Sequence, residues 1–155
     1  MFKLILSIVL VFCSGFIGQS FSSRLVLRKN TIEDFIMMFE TALSKIEYTS
    51  SSLFEIFEDN KINYKFNEQK AFLPQWNEMI DKYKYMLKKE DIKLLKEFGI
   101  ELGTSDALSQ INHIKLYIKL LEEQRAIAQM DIDKKSKMYR VFGFSIGLTL
   151  SLMLI

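Results

Sequence analysis

From Asp106 to Ile155 the chain reads DALSQINHIKLYIKLLEEQRAIAQMDIDKKSKMYRVFGFSIGLTLSLMLI, with no proline and no glycine before Gly143. A run this free of helix breakers predicts one long helix, about 75 Å if continuous. Leu108, Ile111, Ile114, Ile118 and Leu121 recur at helical spacing and are expected to form its apolar face. Glu122 to Lys137 then reads as a charged stalk. After Arg140 no ionisable side chain remains. The helix is therefore expected to start in a protein core and to finish in an apolar environment.

The other end of the chain mirrors this pattern. Between Lys3 and Arg24 there is no Asp, Glu, Lys, Arg or His. Leu4 to Ser23 is 20 residues, about 30 Å of helix, the thickness of a hydrocarbon core. Val141 to Ile155 is 15 residues, about 22 Å, short of a full crossing unless thinning or helix association absorbs the mismatch. Arg24, Arg28 and Lys29 follow the first segment, and Lys134, Lys135, Lys137 and Arg140 precede the second. These seven cations are expected to face a membrane with anionic lipid, with the body between them on the cytoplasmic side. The expected organisation is a transmembrane segment over 1–23, a helical bundle over 24–140 and a hydrophobic membrane segment over 141–155.

A second reading of the first segment is a cleaved signal peptide, with Lys3, an apolar stretch and small residues around Gly18-Gln19-Ser20. The body would then be an extracytoplasmic helical binding protein. The cations behind the segment argue against export. Cys13 follows Phe12, too bulky for the position before a lipoprotein cysteine, and a lone cysteine forms no intrachain disulfide.

The middle holds one proline, Pro74, and two glycines, Gly99 and Gly103, a scarcity that favours helices. Phe35, Ile36, Phe39, Ala42, Leu43 and Ile46 mark a helix from about Arg24 to Tyr48. Ser52, with Glu55 three residues on, reads as the start of a short helix containing Leu53, Ile56 and Phe57. Pro74 suits the first turn of a helix over 72–87, with Leu73, Trp76, Ile80, Tyr83 and Leu87 inward. Another helix is expected over 89–102, with Ile92, Leu95, Phe98 and Leu102 inward, stopped by Gly103. Thr104 or Ser105 would cap the long helix. The fold class is all-α: an antiparallel multi-helix bundle with a long C-terminal helix, flanked by hydrophobic membrane segments.

The sequence offers little chemistry. His113 is the only histidine, so no usual zinc-ligand spacing is present. There is no glycine-rich phosphate loop. Glu90-Asp91, Glu122-Glu123 and the Asp131/Asp133 pair read as solvated helix faces rather than acid–base pairs. Outside the seven flanking cations the body carries 13 Lys and Arg against 19 Asp and Glu. It lacks the basic stripe of a nucleic-acid surface. Neither an enzyme nor a cofactor is expected; a small membrane-bound enzyme would need a second histidine or a metal.

At Leu102-Gly103-Thr104-Ser105-Asp106, with Gln110 and His113-Ile114 following, the sequence resembles the stage III sporulation protein AB family. So does its end: Lys134, Lys137-Met138-Tyr139-Arg140, Phe142-Gly143 and Gly147. Weaker echoes are Ile46-Glu47-Tyr48, Leu53, Trp76, Glu90-Asp91 and Phe98-Gly99. The chain departs at Ser50-Ser51-Ser52, where a proline is expected. The resemblance implies a component of the membrane channel between mother cell and forespore in endospore-forming bacteria. It implies a cytoplasmic domain similar to the helical domains of the inner-membrane platform protein of type II secretion and type IV pilus machines. The implied role is assembly, with other sporulation-channel membrane proteins and a cytoplasmic motor ATPase as partners, in the mother-cell membrane facing the forespore. Because the long helix starts beside Gly103 and is expected to end in the membrane, Thr104, Ser105, Asp106, Gln110 and His113 are candidate partner contacts at the distal end. The alternative is that these residues only cap and tether the bundle.

Overall fold

The computed structural model describes residues 2–48, 53–57, 62, 64–102 and 107–154. Among these, all regular secondary structure is helical: α1 (Phe2–Tyr48), α2 (Leu53–Phe57), α3 (Phe72–Tyr83), α4 (Lys89–Glu101), α5 (Ala107–Asp131) and α6 (Lys137–Leu154). A π-helical turn, Ile132–Ser136, links α5 to α6. The expected all-α class is therefore observed. The expected single helix from Asp106 to the end differs by this one widened turn. Ser52, Gly103, Thr104, Ser105 and Asp106, expected to cap or stop helices, lie outside the described residues.

The chain forms two compact units. One is Arg28–Ala126. The other joins Met1–Leu27 to Ile127–Ile155. The boundaries expected from charge, 23/24 and 140/141, both fall inside the second of these. Residues 24–27 and 127–140 pack with the terminal segments rather than with the bundle.

The Arg28–Ala126 unit is an up-down-up-down bundle of the second half of α1 with α3, α4 and the first part of α5. Phe35 meets Tyr83 and Phe39 meets Trp76, so α1 and α3 run antiparallel. Trp76 meets Phe98 and Asp81 meets Lys96, so α4 reverses again. Phe98 meets Tyr117 and Glu101 meets His113, which makes α5 antiparallel to α4. The short connections from α3 to α4 and from α4 to α5 favour this arrangement.

Aromatic rings fill the centre. Phe39 stacks on Phe98 at 4.2 Å and on Trp76 at 6.1 Å, with Phe57 edge-on at 6.2 Å. All four are fully buried. Such ring pairs add to the area they bury. The Trp76 indole N–H donates to the Leu95 carbonyl at 2.7 Å, so its one polar atom is satisfied in the core. Gly99 makes room for that indole: a Cβ there would run into the ring.

Local chemistry sets the helix ends. Pro74 lies in the first turn of α3, as expected. The Lys88 N–H donates to the Asp91 carboxylate at 2.9 Å, satisfying a donor at the start of α4. Lys45 donates to the Glu55 carbonyl at 2.6 Å, serving the end of the short α2. Gln75 bonds both the N–H and the carbonyl of Asn67, holding the preceding loop on α3.

Three expectations need correction. The third helix ends at Tyr83 rather than Leu87, because the Met86 N–H turns back to the Tyr83 carbonyl at 2.9 Å. Leu73 is partly exposed. Leu108 is 66% exposed; Ile114 and Leu121 are buried as expected, Ile111 and Ile118 are half-buried, and Gln110 and Tyr117 complete the inward face of α5. Apolar residues occur on more than one side of α5, so spacing alone placed Leu108 on the inward face and passed over Gln110 and Tyr117.

Candidate functional site

The second unit is a helix pair built on small residues. Ser14, Gly18 and Ser22 lie four apart on α1, and Gly143 and Gly147 four apart on α6. This spacing puts each set on one helix face. The backbones then approach closely. A Cβ on Gly18 would lie 2.6 Å from the Tyr139 carbonyl oxygen, and one on Gly143 would lie 2.8 Å from that of Ser14. A Cβ on Gly147 would overlap the Ser14 hydroxyl. Small residues that allow such contact are the usual seam of helices packed in lipid.

The large apolar side chains of the pair point away from that seam. Phe12, Phe16 and Ile17 on α1, and Val141, Phe144 and Leu152 on α6, are exposed. This inverts the pattern of water-soluble bundles, whose interiors are filled by large apolar side chains. Among the described residues no helix is long and apolar enough to cross a membrane.

A polar clamp joins the same two helices. The hydroxyls of Ser22 and Ser136 are 2.5 Å apart and buried. The Arg140 guanidinium donates to Ser22 at 3.3 Å and to Ser136 at 3.1 Å. Ser136 is the last residue of the π-helical turn. Such turns often mark functional positions.

The seven flanking cations do not behave alike. Arg28, expected to face a membrane, is buried in the bundle and forms two hydrogen bonds to Asp91, 2.7 and 2.8 Å, plus one to Gln124 at 3.1 Å. It shares a helical face with Ile32 and Phe35, both buried, and that position turns it inward. Asp91, expected on a solvated face, is correspondingly buried, while Glu90 is exposed. Lys29 pairs with Glu33 at 3.0 Å and Lys135 with Asp131 at 2.6 Å. Arg24 is exposed, with its guanidinium 5.9 Å from the Phe21 ring centre. Lys134 and Lys137 are exposed beside Asp133, Met138, Val141 and Phe142, which line a shallow depression of about 390 Å³.

Of the candidate partner contacts, Thr104, Ser105 and Asp106 lie outside the described residues. Gln110 is buried. His113 is packed between α4 and α5, its ring stacked on Phe98 at 5.0 Å. Its Nε2 is 3.3 Å from the Phe98 carbonyl, and its Nδ1 is 3.2 Å from the Glu101 carboxylate. Both neighbours are acceptors, so an N–H on either ring nitrogen is satisfied. Tyr117 packs on the same ring; burial first, then Glu101 and Glu97, push its hydroxyl pKa upward.

Sequence reading missed the seam residues, the serine–arginine clamp and the Arg28–Asp91–Gln124 cluster. Four-residue spacing of small residues was the available signal for the seam. No local signal existed for the cluster, whose members are 63 and 96 residues apart.

The architecture can be set beside known proteins. The profile of the family described as stage III sporulation protein AB matches residues 3–155. Stage III sporulation protein AB of Bacillus subtilis (strain 168) is 44% identical over 68 residues, covering 44% of this chain and 40% of that protein. The matched stretch thus spans well under half of that relative's length. No solved structure matches. With a match running over nearly the whole length, on an all-helical chain, this chain belongs to the stage III sporulation protein AB family.

Proposed function

We propose that the chain is a non-enzymatic, membrane-anchored assembly component of the sporulation apparatus, a platform in the channel between mother cell and forespore. The observation that carries this reading is the inverted helix pair: glycines and serines inside, phenylalanines and leucines outside. Exposed apolar side chains on two adjoining helices need a cover, and lipid supplies it without a second protein. The second segment, 15 residues from Val141 to Ile155, is short of a full crossing, and association is one way that a short segment offsets mismatch. The clamp at Ser22, Ser136 and Arg140 satisfies polar groups that would otherwise be costly beside lipid. The remaining cations, Arg24, Lys29, Lys134, Lys135, Lys137 and Arg140, favour a cytoplasmic bundle through the positive-inside bias.

The bundle would then serve as the docking body, similar to the helical domains of type II secretion platform proteins. In this reading it meets other channel membrane proteins and a cytoplasmic motor ATPase through the segment containing Thr104, Ser105, Asp106, Gln110 and His113. Family membership supports the sporulation role.

Membrane extraction tests the anchoring. The full-length protein should stay with membranes through high salt and alkaline carbonate and leave only with detergent. Release by carbonate would contradict an embedded anchor. A shorter mature chain, found outside the cytoplasm, would favour an exported binding protein instead.

A further inference from the structure

The flanking cations separate into engaged and unengaged groups; Arg24 lies alone over the Phe21 ring, 5.9 Å from its centre, and two unengaged cations fall together at one place. Arg28 is neutralised by Asp91, Lys29 by Glu33 and Lys135 by Asp131, while Arg140 is turned onto Ser22 and Ser136. Lys134 and Lys137 are exposed, and neither pairs with a carboxylate among the described residues. They stand three residues apart, and Met138, Val141 and Phe142 continue the same helical face. Helical side chains tilt toward the N-terminus. The two ammonium groups therefore reach to one end of the depression, and the exposed apolar side chains occupy the other.

We propose that Lys134, Lys137 and the strip Met138–Val141–Phe142 form a site for one anionic glycerophospholipid. Its phosphate sits on the two ammonium groups, and one acyl chain lies along the apolar strip. Charge selects the headgroup. Each lysine brings three donors and a full charge. Asp133, which accepts from the Gln129 amide at 2.9 Å, lines the same depression and leaves the site with one net positive charge. That balance suits a single phosphodiester, as in phosphatidylglycerol, better than a polyanion. The lysine stems can lie on the apolar strip while their heads stay at the interface. This inference rests on the membrane reading above and adds to it a discrete lipid in place of a diffuse charged surface.

The test uses the full-length chain, reconstituted with equal phosphatidylglycerol and phosphatidylcholine, with retained lipid identified by native mass spectrometry. Wild type should keep phosphatidylglycerol preferentially. At the usual contribution of a cation near anionic lipid, Lys134→Gln or Lys137→Gln alone should lower the preference about fivefold, and the two together roughly thirtyfold. Lys135→Gln should stay close to wild type, since Asp131 already engages that charge. Unchanged far-UV circular dichroism would show that the variants remain folded. Equal losses at Lys134, Lys135 and Lys137 would mean a diffuse field, and an undiminished preference in the double variant would mean no site; either overturns the proposal. Flotation with pure phosphatidylcholine vesicles separates the two claims. Wild type and double variant should both float, and if wild type does not, the membrane reading fails and this inference with it.

Discussion

The Arg28 guanidinium grips the Asp91 carboxylate through two hydrogen bonds, 2.7 and 2.8 Å long, with side chains only 5% and 0% exposed. The pair ties α1 to α4, and Asp91 also takes the Lys88 N–H at the start of α4. Gln124 adds α5 through the same guanidinium. One ionic group thus joins three helices of the bundle.

Removing one partner should therefore hurt more than removing both. Asp91→Ala leaves a buried guanidinium uncompensated and should cost about 3–5 kcal/mol. Replacing the pair together, Arg28→Met with Asp91→Leu, should recover most of that loss. Urea unfolding of the detergent-solubilised full chain measures both. Equal destabilisation in the single and double variants would mean that the pair matters by its shape rather than its charge.

Gly99 is constrained by what lies on it. Gly99→Ala would drive a methyl group into the Trp76 indole. Overpacking of this kind should cost about 1–3 kcal/mol, although alanine has the better helix propensity. Trp76 fluorescence during the same unfolding gives the value and also shows a displaced ring. A stabilised variant with an unshifted spectrum would mean that the core has slack at this point.

The seam can be locked covalently. Ser22→Cys with Ser136→Cys, in a Cys13→Ser background, puts two thiols where the hydroxyls now lie 2.5 Å apart. Mild oxidation should give an intrachain disulfide, read as a mobility shift that reductant reverses. Failure to form it, with the chain still folded, would mean that the two helices do not share this face.

Much of the bundle could be read from local pattern, because it rests on short-range rules. Phe35, Ile36, Phe39 and Ala42 mark a buried face by spacing, and all four are buried. Pro74 announces a first turn because only there is its missing N–H harmless. Leu108 misled because α5 is apolar on more than one side, and which side faces inward is decided by α4 rather than by α5 itself. Asp91 misled because its partner is 63 residues away, and a single sequence holds no trace of that pairing. The glycine and serine seam was legible in principle. Its signal is an absence of side chain at four-residue spacing, not a reactive group.

Alkali should weaken the bundle. The pKa of Tyr117 is raised by burial and then by Glu101 and Glu97, and that of Tyr64 by burial and by its hydrogen bond to Glu78. A raised pKa means that the folded state prefers the neutral phenol. This contribution is complete below the ordinary tyrosine pKa of about 10 and is lost as pH rises through the higher folded values. Absorbance titration should show late-ionising phenols, and Tyr117→Phe should remove part of the stability loss above pH 10. Unchanged alkaline stability in that variant would assign the effect elsewhere.

Cys13 is a ready probe of whether the inverted helix pair lies in lipid. This cysteine is the only one in the chain, and it is exposed on α1 among outward apolar side chains. A nitroxide attached there in the full-length protein, reconstituted into phospholipid bilayers, reports collisions with oxygen, which concentrates in lipid, and with a water-soluble nickel chelate. A lipid-embedded pair gives frequent oxygen collisions and few nickel collisions. Nickel collisions at the level of an exposed, water-facing control site on the bundle, such as Tyr85→Cys in a Cys13→Ser background, would contradict it.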